Sequence, residues 1–132
     1  MQSRKLSVTF HAQDFDRTLV FFRDTLGLAL KHSWNDPHSR GAIFAAEDSA
    51  EVEFFGPPEG QSQNQPSPSG MNIAFLVDDV DAHYARLMAA GVQLVEDIGD
   101  RPWGNRSFGI QSPDGLHVWL FSEIPPQEGA AS

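Results

Sequence analysis

Apolar and polar positions alternate with a period of two along Leu6 to Phe10, Glu51 to Phe55, Met71 to Val77 and His117 to Phe121. Successive side chains of an extended chain point to opposite faces, so each run predicts a strand with two distinct faces. Four further runs, Leu28 to Trp34, Gly41 to Ala46, Val92 to Asp97 and Arg106 to Ile110, also predict strands. After the first strand, Phe15, Leu19, Phe22 and Leu26 fall at helical spacing, with Asp14 placed to cap the helix and Gly27 to stop it. Val80, Tyr84, Leu87 and Met88 form a second such stripe, capped by Asp78 or Asp79 and stopped by Gly91.

The two halves repeat one plan. Cap and stop glycine are 13 residues apart in both, Phe10 matches Phe75 at an offset of 65, and Glu53 matches Trp119 at 66. A near-constant offset across strand, helix and strand predicts a duplicated unit. The expectation is an α+β fold of two tandem βαβββ modules, about 5–56 and 71–123, forming an open curved sheet around a cleft within one domain, 1–124. The run GPPEGQSQNQPSPSG from Gly56 to Gly70 reads as a linker (57–70), and Pro125 to Ser132 as a flexible tail.

The two faces of the alternating strands differ. Val8, Phe10, Val52, Phe54, Ile73, Phe75, Val77, Val118 and Leu120 make one face wholly apolar, as a face covered by the two helices must be. The other carries Ser7, Thr9, Glu51, Glu53, Phe55, Asn72, Ala74, Leu76, His117, Trp119 and Phe121. Water alone does not call for Phe55, Trp119 and Phe121, and a core does not hold Glu53, Asn72 and His117. The mixture suits the wall of a ligand cleft, or else a dimer interface.

Composition narrows the chemistry. Nine Lys and Arg stand against 18 Asp and Glu, a net charge of −9, the wrong sign for a nucleic-acid partner. Such acidity serves solubility or attracts a cationic small molecule. There is no cysteine, which removes disulfides, thiolate metal sites and cysteine nucleophiles and suits the cytoplasm. No run of about 20 apolar residues predicts a membrane span, and the polar start, Met1 to Lys5, does not read as a signal peptide.

With this layout the sequence resembles the vicinal oxygen chelate superfamily, which includes glyoxalase I, extradiol dioxygenases, fosfomycin-resistance enzymes and bleomycin-resistance proteins. The likeness is carried by DFDRTLVFFRDTLGL (Asp14 to Leu28), NIAFLVDDVDAHYARLMAAGV (Asn72 to Val92) and RPWGNRSFGIQSPDGLHVWLF (Arg101 to Phe121). In metal-dependent members, His and Glu ligands come from four strands, and the resemblance carries those positions onto Ser7, Glu53, Asn72 and Trp119. Only Glu53 is a strong ligand, and an ion of the zinc or manganese type needs three or four donors. The expectation is therefore no metal, no cofactor and no catalytic residue. A displaced site using His117 with Glu53 stays open.

Among metal-free members the bleomycin-resistance type fits best, through the Trp-Gly-x-Arg and Pro-x-Gly turns. It implies antibiotic sequestration without turnover. An aromatic or cationic compound would meet Trp34, Glu51, Glu53, Phe55, Asn72, Trp103, His117, Trp119 and Phe121, with Trp103 at the cleft mouth or packed on the sheet rim. The resemblance also implies a homodimer. The alternatives are a glyoxalase-like lyase or isomerase with an atypical or absent metal, using Glu53 as base, and an interaction module with an occluded cleft.

Overall fold

The computed structural model describes residues 1–3, 5–47, 50–61 and 69–125. Half of the expected linker, 62–68, and most of the expected tail, 126–132, lie outside the described residues. The elements run β1 (Leu6–His11), α1 (Phe15–Val20), β2 (Ala29–Asn35), β3 (Arg40–Ala46), β4 (Ala50–Gly56), β5 (Asn72–Leu76), α2 (Val80–Ala89), β6 (Leu94–Asp100), β7 (Asn105–Gln111) and β8 (His117–Glu123). The α+β class and the tandem βαβββ order are as the sequence predicts.

The strands form two four-stranded sheets, β1-β4-β3-β2 and β5-β8-β7-β6. The duplication extends to register. β1 and β4 are parallel with Ser7 opposite Glu51, and β5 and β8 are parallel with Asn72 opposite His117. Both pairs are linked by the offsets of 65 and 66 found in the sequence. The chain divides into two compact units, Met1–Gly70 with Ser112–Leu116, and Met71–Gln111 with His117–Ser132.

In the first unit the apolar sheet face meets the helical segment through phenylalanines. Phe22 lies 5.5 Å from Phe54, 5.9 Å from Phe44 and 6.2 Å from Phe10, and Phe15 lies 5.4 Å from Phe54, all between ring centroids. Asp14 caps α1 by accepting from the Arg17 amide at 3.3 Å. The continuous α-helix expected from Phe15 to Leu26 is not what forms. After Val20 the chain widens into a π-helical turn, Phe21–Thr25, in which the Leu26 amide reaches the Phe21 carbonyl at 2.8 Å. The consecutive Phe21 and Phe22 are both buried at this turn. The turn Ser112–Leu116 joins this unit: buried Asp114 accepts from the Gln13 amide at 2.7 Å and from the Thr18 hydroxyl at 2.6 Å.

In the second unit Val80 and Leu87 of α2 are buried, as are Phe108, Ile110, Val118 and Leu120 of the sheet, and Tyr84 stands edge-on to Phe108 at 5.2 Å. Asp79, rather than Asp78, caps the helix, accepting from the Ala82 amide at 3.1 Å. Among the described residues no helix is long and apolar enough to cross a membrane.

Candidate functional site

Each sheet keeps its helix on one face and leaves the mixed face open, and ladder register arranges that face in rows. On the first sheet one row reads Trp34, Gly41, Phe55, His11 and the next reads His32, Ile43, Glu53, Thr9. Trp34 is the anchor of the first row. Its ring lies 5.8 Å from both Phe55 and His32, its Nε1–H donates to the Ser39 hydroxyl at 3.1 Å, and it lies flat over Gly41. A Cβ at Gly41 would stand 2.0 Å from the indole, so only glycine admits the ring.

The third row is Ala29, Ala45, Glu51, Ser7. Glu51, expected to receive a ligand, is only 8% exposed, because Lys5 (2.8 Å) and Lys31 both close on its Oε1. Lys31 reaches it from the register shift between Leu30 and His32, a bulge that re-aims one side chain. The Lys31 and Lys5 ammonium groups, by hydrogen bonding first and charge second, hold the Glu51 carboxyl below its usual range. Its charge is therefore answered within the chain. Glu53, one row on, takes no part in that cluster.

On the second sheet the rows are Asn72, His117, Gln111; then Ala74, Trp119, Gly109, Glu96; then Leu76, Phe121, Ser107, Gly99. Trp119 lies over Gly109, where a Cβ would meet its ring at 3.0 Å, and its Nε1–H donates to Asn72 Oδ1 at 2.8 Å. His117 is exposed beside Asn72, and Phe121 is half-buried two residues beyond Trp119. Trp103, on the turn after β6, is 72% exposed, so it does not pack on a sheet rim.

Arg101 was not among the expected site residues. Its Nε–H donates to Ser107 Oγ at 3.0 Å, its Nη2 to the Ser107 and Asp97 carbonyls at 2.9 and 2.7 Å, and its Nη1 lies 3.5 Å from Glu96. The signal available in the sequence was an arginine at the turn between β6 and β7 with Ser107 on the open-face parity of the facing strand.

The donor set does not suit the metal that some relatives of this fold hold. Within the second unit the two matched positions are spent on one another: Trp119 has no lone pair to offer, and its N–H occupies the Asn72 oxygen. Among the described residues no three His, Cys, Asp or Glu side chains gather where one ion would meet them. A shallow hollow of ≈350 Å³ on the outer side of α1, lined by Asp16, Arg17, Val20, Phe21, Thr25 and Pro113, holds none of the expected site residues.

Known proteins agree with this architecture. A member of the glyoxalase/bleomycin resistance protein/dioxygenase superfamily from Sphaerobacter thermophilus DSM 20745 is 25% identical, with a TM-score of 0.72 over 92% of this chain and 98% of that one. An antibiotic-binding protein from Streptomyces sp. CB03234 is 24% identical, with a TM-score of 0.71 over 93% and 97%. The lactoylglutathione lyase of Agrobacterium tumefaciens is also 24% identical, at 0.68 over 92% and 94%. No curated protein matches the chain. The family pattern described as Glyoxalase/Bleomycin resistance protein/Dioxygenase superfamily matches residues 6–120, and the chain belongs to that superfamily.

Proposed function

We propose that this protein binds an aromatic small molecule, in the manner of a bleomycin-resistance protein, and sequesters it without a metal and without turnover. One observation carries the reading: the Trp119 indole is fixed by Gly109 beneath it and Asn72 at its edge, where a metal-dependent relative would need two ligands. An immobilised indole is a stacking surface whose ordering cost is already met, and area with π contact supplies its affinity. Trp34 with Phe55 offers a second such surface on the first sheet. A homodimer and a cytoplasmic setting belong to the same proposal. The fold similarity to an antibiotic-binding protein supports it, while the similarity to a lactoylglutathione lyase keeps a lyase or isomerase as the competitor.

The test is a thermal-shift screen of aromatic antibiotics with and without divalent metals. Stabilisation without metal, lost in Trp119→Ala, is the expected result. Shifts that require metal, or a lyase activity that appears with it, overturn sequestration in favour of the enzyme.

A further inference from the structure

Resting on that binding reading, we infer that the second sheet selects an aromatic ligand bearing an anionic or strongly accepting group, with Arg101 as the specificity residue, rather than a cationic one. Two independent contacts put the Arg101 guanidinium on the open face. Its Nε–H bonds the side chain of Ser107, which shares a row with Phe121, and a Cβ at Gly99 in that same row would meet its Nη1 at 3.6 Å. The guanidinium therefore stands one strand from Phe121, about 5 Å of sheet.

What its five N–H groups do decides the chemistry. Nε and Nη2 are committed to Ser107 and Asp97 and lock the plane of the group. Nη1 meets Glu96 at 3.5 Å, beyond the length of a good charge-assisted bond. A pre-oriented cation with one under-used edge is an anion receptor, because a ligand carboxylate or phenolate takes up N–H groups without reordering the side chain.

Of the polar side chains in the rows around the indole, which include Glu96 and His117, Asn72 acts in the same sense. Asn72 has its oxygen on the Trp119 N–H, so the chemistry its carboxamide adds toward a ligand is donation from nitrogen. The donors thus flank the Trp119 and Phe121 rings from opposite sides, Asn72 on β5 and Arg101 over β7 and β6. The net charge of −9 slows the approach of an anion but is screened beyond about 8 Å at physiological salt, so the local donors decide selectivity.

The experiment titrates the full chain calorimetrically with three pyrenes alike in area: 1-pyrenecarboxylate, 1-pyrenemethanol and 1-pyrenemethylammonium. The carboxylate should bind about tenfold or more tightly than the alcohol, the size of one charge-assisted hydrogen bond, and the ammonium most weakly. Arg101→Gln should erase that preference and Arg101→Lys keep part of it. Because Arg101 also braces the hairpin, Asn72→Asp is the second variant: it preserves an acceptor for the Trp119 N–H while replacing a donor by a negative charge. It should weaken the carboxylate several-fold and strengthen the ammonium. Equal binding of all three pyrenes, a preference for the ammonium, or a carboxylate preference untouched by Arg101→Gln overturns this inference and leaves aromatic binding standing. Binding of none overturns both.

Discussion

Gly41→Ala is the sharpest probe of the first sheet's aromatic row. A Cβ there would lie 2.0, 2.2 and 2.4 Å from Cζ2, Cη2 and Cε2 of Trp34, distances no small shift in place absorbs. The obstacle is a side chain on the open face, so the ring moves rather than the backbone, and the cost is what the ring gives up. That is one hydrogen bond to Ser39, worth about 1 kcal/mol, and the pairings with His32 and Phe55, worth about 0.5–1.5 kcal/mol each. The total is about 2–4 kcal/mol, a fall in Tm of about 6–16 °C for a chain of this size. The assay is thermal unfolding followed by near-ultraviolet circular dichroism, where the immobilised indole contributes, run as a cycle with Trp34→Ala. In the Trp34→Ala background Gly41→Ala should cost less than about 0.5 kcal/mol, since nothing remains to displace. Additive costs in the double variant refute the reasoning, whatever the size of the single effects.

Other expectations follow from the same contacts. Gly109→Ala places its Cβ 3.0 Å from the Trp119 ring, a distance met by a shift of a few tenths of an ångström, so its Tm should fall by less than half as much as that of Gly41→Ala; an equal fall contradicts the geometry. Glu51, with its carboxyl held below the usual range by Lys31 and Lys5, contributes stability that is present above its unfolded value of about 4.3 and is lost as pH falls through the depressed folded one. Urea unfolding across that range should therefore show wild type losing stability more steeply than Glu51→Gln, the curves converging in acid; parallel curves remove the ion-pair cluster from the account. Asp114→Ala removes the carboxylate to which the Gln13 amide and the buried Thr18 hydroxyl both donate, at about 2–4 kcal/mol. A loss under 1 kcal/mol in chemical unfolding shows that water or a neighbour replaces the carboxylate.

Alternation along the chain located β1, β4, β5 and β8, where successive residues differ in burial, the condition under which sequence records register, and apolar runs placed the other four strands. It blurred where that condition lapses. β6 begins at Leu94 and runs to Asp100, later than Val92 to Asp97, and its ladder shifts twice, between Leu94 and Glu96 and between Glu96 and Gly99. Two shifts leave no period to read. The widening after Val20 was hidden for a related reason, since Phe21 beside Phe22 is compatible with any helix until the tertiary core chooses one.

At the candidate site the faces were legible and the pairings were not. Parity put Glu51 and Glu53 together, and nothing in parity separates them. The separation comes from Lys5, just before β1, and from Lys31, turned by a bulge that adds a residue without altering composition. Asn72 and Trp119 were both on the open face by sequence, yet their hydrogen bond follows from a register in which Trp119 lies opposite Ala74, one row beyond Asn72. Arg101 belongs to the quoted Arg-Pro-Trp-Gly segment, but turn residues have no parity, so its reach to Ser107 was outside what periodicity records.

The turn Ser112–Leu116 makes the two copies unequal heirs of their duplication. It is encoded in the second copy and packs as part of the first, lending Asp114 to Gln13 and Thr18. A gene cut between the copies, at Gly70, would deprive the first product of an internal carboxylate and hand the second a turn with nothing to hold. Once that loan was made, the copies could diverge in sequence but not in company, and any split or permuted version of this protein has to keep residues 112–116 with the half that borrows them.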